Sequence, residues 1–210
     1  MCGEINSEGS NMGNKMVDMN IHNVQFQLLE EHDFRWLKQI GRVFKVFDQQ
    51  DSGNISFGVV KGDQKLFVKY AGAKPLEFSG DPRLAIERLK RAVPVYQDLS
   101  HPHVIKMLDH FSTDDGFAII FEWFDGECLH PHWQYGGAAK YTNPNSPFFR
   151  FRQLDVEKRL NVMDVIFSFH TYVESQGYVA VDFYDGSLLY DFKNDEMKIC
   201  DIDFYRKSPT

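Results

Sequence analysis

The chain has 210 residues and a mass of 24.5 kDa; 43% of its residues are hydrophobic and 15% aromatic, and its formal net charge is −7. Such a composition is well clear of disorder, and its acidity argues against a dedicated binder of nucleic-acid phosphates, leaving small molecules and proteins as partners. Its length suits one generous domain or two small lobes. The three cysteines, Cys2, Cys128 and Cys200, are odd in number and share no metal-ligand spacing, which fits a reducing compartment. With no apolar run of membrane-spanning length and no secretion signal, a cytoplasmic protein is expected.

In chain order, residues 1–20 are rich in Gly, Asn and Ser and read as a loose leader. Asp33 is placed to cap a short helix, "FRWLKQI", that stops at Gly41. The β-prone runs "RVFKVF", "ISFGVV" and "KLFVKY", separated by "DQQDSGN" and "KGDQ", predict a three-stranded antiparallel meander. Asp81-Pro82 opens a helix that Pro94 bends or ends. "HVIKMLDHFS" and "FAIIFEWF", joined by "TDDG", add two strands, so residues 21–125 read as a five-stranded sheet carrying one main helix. Residues 126–154 are irregular, and "YGGAAKYTNPNSP" is the least structured part. Asp155 then caps a helix over 156–176 whose apolar positions cover more than one face, predicting a core helix. Residues 155–210 end in "VAVDFYDGSLLYDFKNDEMKICDID", two short apolar strands bordered by Asp182 and Asp201 and joined by a polar turn.

A five-stranded half, a linker, a core helix and an acidic hairpin, together with "LSHPHVIKMLDHF", resemble the protein-kinase-like superfamily over about Arg42 to Asp203. The resemblance extends to the Ser/Thr kinases and to the aminoglycoside and choline phosphotransferases. It implies an α+β, two-lobed kinase-like fold. In that fold the five-stranded sheet is the N-terminal nucleotide-binding lobe, residues 126–154 are the hinge and linker, and the helical C-lobe is cut short after the metal-binding motif. A partner chain is expected to cover the apolar face that a short C-lobe would leave.

The same resemblance assigns roles. Lys69 in "LFVKY" would hold the α- and β-phosphates of ATP, under a loop containing Gly53, Asn54, Ile55, Ser56 and Gly58. The backbone of Glu122 and Phe124 would meet adenine, and Glu127 the ribose. Asp182 would be the base that accepts the acceptor hydroxyl's proton. Asp201 would bind Mg²⁺, with Ser187 and Asp203 as accessory ligands.

The sequence departs from the family pattern in several places. Ala180 and Val181 replace the His-Arg before the catalytic Asp, Ser187 replaces the metal-binding Asn, and Tyr184 stands where a lysine is usual. Ala92 stands where a helix glutamate should pair with Lys69, and Glu87 is the nearest acid. The function implied is ATP- and Mg²⁺-dependent phosphoryl transfer to a hydroxyl, on a protein or a small molecule. The alternative is a weak or inactive pseudokinase that binds nucleotide or protein.

Overall fold

A computed structural model describes residues 16–209. Among these residues the fold is α+β, with six α-helices and several antiparallel sheets. The first element falls inside the expected leader. Strands β1 (Val17–Ile21) and β2 (Val24–Leu28) form a hairpin closed by His22 and Asn23, both at positive φ, as a two-residue primed turn requires. The alternation of Met19, Ile21, Phe26 and Leu28 supplies an apolar face that packs into the core, so residues 17–20 are strand and not loose leader; residues 1–15 of the expected leader lie outside the described residues. Asp33 closes a turn instead of capping a helix: its carboxylate accepts from Arg35 N and Nε, and helix α1 is only Leu37–Ile40.

Strands β3 (Arg42–Phe47), β4 (Asn54–Lys61) and β5 (Gln64–Ala71) form the expected meander. Helix α2 (Pro82–Asp98) follows, its N-terminus capped by the Asp81 side chain accepting from Arg83 N. Pro94 does not end it. Val93, Val95 and Tyr96 are buried on both sides of the proline, and this packing outweighs the lost backbone hydrogen bond, an interior cost of about 3 kcal/mol. Strands β6 (Met107–Ser112) and β7 (Phe117–Glu122) complete a sheet of order β3-β4-β5-β7-β6.

Period-two alternation divides this sheet between two cores. Ile55, Phe57, Val59, Val68, Tyr70, Ala118 and Ile120 face the β1–β2 hairpin. Phe117, Ile119 and Phe121 face α2 and the C-terminal part.

The segment expected to be irregular contains strand β8 (Glu127–Cys128) and helices α3 (His132–Tyr135), α4 (Ala139–Thr142) and α5 (Pro147–Arg152). Ser146 begins α5 with its hydroxyl on Phe149 N and Pro147 in the first turn. Helix α6 (Val156–Ser175) follows Asp155, whose side chain makes no capping bond, and the left-handed Gly177 lies just beyond it. It is not buried all round. Val162, Phe169 and Val173 are buried, while Val156, Leu160, Met163 and Phe167 form an exposed stripe.

Strand β9 (Tyr178–Val179) leads to the hairpin β10 (Leu188–Asp191) and β11 (Glu196–Ile199), and β8 joins this sheet as a third strand. The Asp191 carboxylate organises the hairpin turn by accepting from Lys193 N and Asn194 N. Strand β12 (Arg206–Lys207) pairs back with β9, and Ser208 N donates to Gly177 O at 2.8 Å. The "HPHVI" stretch ties the halves together: Val104 bridges Ile199, and Ile199 N donates to His103 O at 2.6 Å.

Candidate functional site

Lys69 shares its face of β5 with Phe67, while Leu66, Val68 and Tyr70 point into the opposite core. Its ammonium therefore leaves the sheet toward the C-terminal acids. It donates to Asp201 Oδ1 at 2.7 Å and to Asp203 Oδ2 at 2.6 Å. The second oxygen of Asp203 accepts from the Tyr96 hydroxyl at 2.8 Å. Tyr96 reaches there from α2, its ring 4.8 Å edge-on from Phe121. Asp203 is 10% exposed and Asp201 is 42% exposed, so one acid is sealed in the cluster and the other opens to solvent.

Burial alone would lower the Lys69 pKa, but the Asp201 and Asp203 charges outweigh it and hold the ammonium above the ordinary lysine range. Asp201 is held below the usual carboxylate range, chiefly by the Lys69 charge. Asp203 is raised, first by burial and then by its neighbour Asp201. Burial likewise pushes the Tyr96 phenol well up.

Five non-glycine residues among those described have positive φ. His22, Asn23 and Asp195 lie in hairpin turns; the other two are Asp182 and Asp201. The two acids singled out from sequence thus sit in strained backbone, at a cost on the order of 1–3 kcal/mol each unless local bonds relieve it. Asp182 is exposed. After it the chain makes a single 3₁₀ turn, Asp185–Ser187, with Ser187 N on Tyr184 O, and Ser187 O accepts from Cys200 N at 2.9 Å, next to Asp201. The Ser187 hydroxyl is buried and has no hydrogen-bond partner. His170, mid-helix in α6, braces this region: its Nε2 pairs with the Tyr205 hydroxyl at 2.9 Å and its ring meets Phe183 at 4.4 Å.

The expected phosphate loop is mostly strand. Only Asp51–Gly53 lie outside it, because Asn54 onward pairs with β5, with Ser56 opposite Lys69. Gly53 has φ +82° and runs so close to Phe78 and Ala85 that a Cβ would lie 2.7 Å and 2.9 Å from them. Arg88 on α2 donates to Ser52 O at 2.9 Å. On the lysine side of β4 stand Asn54, Ser56 and Gly58, small or polar, and the Asn54 Oδ1 is buried without a partner.

Phe67 lies 5.8 Å from Phe47 and 6.2 Å from Phe121, and Phe44 packs 5.0 Å from Trp123, giving the sheet an aromatic wall beside Lys69. The Glu122 N–H donates to Lys106 O, and Phe124 folds over Gly126. Both Glu127 oxygens are engaged by Arg150, at 2.6 Å and 3.2 Å. Glu127 lines a cavity of about 380 Å³ with Asp125, Asp191, Phe192, Lys193 and Asn194, apart from the lysine–acid cluster.

Sequence reasoning missed Tyr96, Arg88 and Lys140. Tyr96 lies beyond Pro94, where the sequence has the helix bend or end. Arg88 shows its use only once the β3–β4 turn is placed against α2. Lys140, its side chain 10% exposed, forms an ion pair with Asp185 and lies 4.6 Å from the Phe148 ring centre.

Part of the chain is similar to serine/threonine protein kinases. It is 31% identical over 78 residues to serine/threonine-protein kinase 36 of Pongo abelii and 30% identical over 78 residues to that of Mus musculus. Each match covers 37% of this chain and 6% of the relative. A probable serine/threonine-protein kinase KIN1 homolog of Enterocytozoon bieneusi is 33% identical over 72 residues, 34% of this chain and 12% of that protein. The chain thus spans a small part of these relatives. No protein-family model matches it. Among the described residues no helix is long and apolar enough to cross a membrane, and no three His, Cys, Asp or Glu side chains group as a metal site.

Proposed function

We propose that the protein is a kinase-like phosphotransferase that binds ATP with Mg²⁺ and moves the terminal phosphate to a hydroxyl. In this reading residues 21–125 are the nucleotide-binding lobe, 126–154 the hinge and linker, and 155–210 part of a catalytic lobe. The observation that carries it is the meeting of Lys69 with Asp201, residues 132 apart in sequence, in a cluster that leaves Asp201 open to solvent. The partial similarity to serine/threonine kinases agrees with it.

Lys69 would hold phosphate oxygens, the Phe47–Phe67 wall would pack against the base, and exposed Asp182 would accept the proton of the incoming hydroxyl. Mg²⁺ binds through one or two carboxylates plus phosphates, so it needs no three-acid cluster. Asp201 and the unpartnered Ser187 hydroxyl fit that need, and the ion would offset charge on the transferring phosphate. Glu127, clamped by Arg150, would have to exchange that partner to meet a ribose. The acceptor is a protein side chain or a small alcohol.

A second reading, a nucleotide- or protein-binding pseudokinase, is favoured by the occupied state of Lys69, whose ammonium is already satisfied by two carboxylates. The deciding experiment is a thermal shift with ATP and Mg²⁺, followed by radiolabelled transfer to a generic protein and to amino alcohols. Absence of any shift in the wild type would overturn nucleotide binding. A shift without transfer, unchanged by Asp182→Ala, would favour the second reading.

A further inference from the structure

We propose that Asp203 and Tyr96 are positioning residues that fix Lys69 for phosphate binding, in place of an acid from helix α2. This inference rests on the phosphotransferase reading. No acid of α2 reaches Lys69: the position expected for one is Ala92, buried, and Glu87 instead pairs with Lys90 at 3.2 Å on the exposed side. One helical turn after Ala92 the same face presents Tyr96. Its hydroxyl is neutral and cannot balance an ammonium, but it can orient a carboxylate that does.

Asp203 is held at both oxygens, Oδ2 by Lys69 and Oδ1 by Tyr96. Its neighbours keep it in place. Ile202 is fully buried, and the nearly buried Tyr205 is bonded through its hydroxyl to His170. A carboxylate with both oxygens engaged and its side chain 10% exposed is poorly placed to bind a cation, whereas Asp201 has the exposure that binding needs. The two acids of "DID" therefore divide the work. Asp201 faces the ligand and Asp203 faces the lysine.

The arrangement has a consequence for control. Where a helix must swing in to deliver the acid, the lysine is fixed only when the helix is in place. Here the acid lies two residues from Asp201 on the same segment, and α2 contributes one neutral hydrogen bond. Lys69 is thus fixed whenever residues 201–203 are folded against the sheet.

The test compares Asp203→Asn and Tyr96→Phe with wild type by calorimetric ATP titration in EDTA and again across a Mg²⁺ series. The anchor role predicts that Asp203→Asn weakens metal-free ATP binding roughly tenfold or more and Tyr96→Phe a few-fold, with the double variant no weaker than Asp203→Asn alone. The Mg²⁺ concentration for half-saturation should stay unchanged. Metal-free binding equal to wild type, together with a raised Mg²⁺ requirement, would make Asp203 a metal ligand and overturn the proposal.

A ligand-independent arm measures the rate at which Lys69 is modified by a small amine-reactive reagent, read by peptide mass mapping. Faster modification in both variants, with unchanged circular dichroism, is the expected result, and rates equal to wild type refute the anchor. If wild-type protein binds no ATP, the phosphotransferase reading fails, and this arm still decides whether Asp203 and Tyr96 hold the lysine.

Discussion

Among the described residues two lysines, Lys69 and Lys140, have side chains only 10% exposed, and they are buried in different company. Lys69 meets two carboxylates backed by a tyrosine, and one of those carboxylates looks out to solvent. Lys140 meets Asp185 alone and is flanked by the Phe148 and Tyr141 rings, with its own carbonyl held by the fully buried Ser146 hydroxyl. The first arrangement carries more acid than one ammonium can satisfy and leaves part of it accessible, as a site for phosphate and metal would. The second is a matched pair between a short helix and the turn after Asp182, as a structural tie would be. Equal burial therefore does not imply equal use.

The largest effects should come from the first cluster and from Asp182. Asp182→Ala should lower turnover about 10²- to 10⁴-fold in radiolabelled transfer while leaving ATP affinity intact. Lys69→Met should cost about 10²-fold in kcat/KM, with loss of the ATP thermal shift. Lys140→Met should do the reverse. Leaving Asp185 without its main partner should cost about 3 kcal/mol in urea unfolding and change ATP affinity by less than about twofold. If Lys140→Met abolishes nucleotide binding without unfolding the protein, the contrast between the lysines fails.

A smaller effect is expected at Gly53, where alanine must take a positive φ and crowd Phe78 and Ala85; Gly53→Ala should destabilise by about 1–3 kcal/mol by thermal melting.

The smallest effect concerns pH. Asp201 has a depressed pKa, so its contribution is present above the ordinary carboxylate range and lost as pH falls through its folded value. Asp203 has a raised pKa, so the fold binds its proton more tightly than the unfolded chain does, and stability falls as pH rises from the ordinary range through the raised value. Asp203→Asn should remove that second decline and leave the acid-side loss. A melting-temperature profile in which both limbs survive in the variant would reject this assignment.

The strands around Lys69 and the acid-bordered hairpin were legible because their signals are local. "RVFKVF", "ISFGVV" and "KLFVKY" are short runs rich in β-branched and aromatic residues, set off by turn-rich links, and "DFKNDE" carries turn chemistry. Tyr96 was not legible, since a local reading bends or ends the helix at Pro94 and only the packing of Val93, Val95 and Tyr96 carries it on. The β1–β2 hairpin was hidden for a related reason: its turn residues are His22 and Asn23, without the glycine that usually announces a primed turn. Helix α6 misled in the opposite direction. Its apolar residues lie all round, but nothing among the described residues covers Val156, Leu160, Met163 and Phe167.

The pairing of β9 with β12 turns residues 177–208 into a closed ring, its two ends held by a short ladder and by the bond from Ser208 N to Gly177 O. Ring closure over about thirty residues costs about 1 kcal/mol less chain entropy than the contact between Lys69 and Asp201, which spans 132 residues. If the ring opens as one cooperative unit, it carries Asp182, Ser187, Asp201 and Asp203 together. In hydrogen exchange, the amides of Tyr178, Cys200 and Ser208 should then share one opening free energy, set apart from that of the five-stranded sheet.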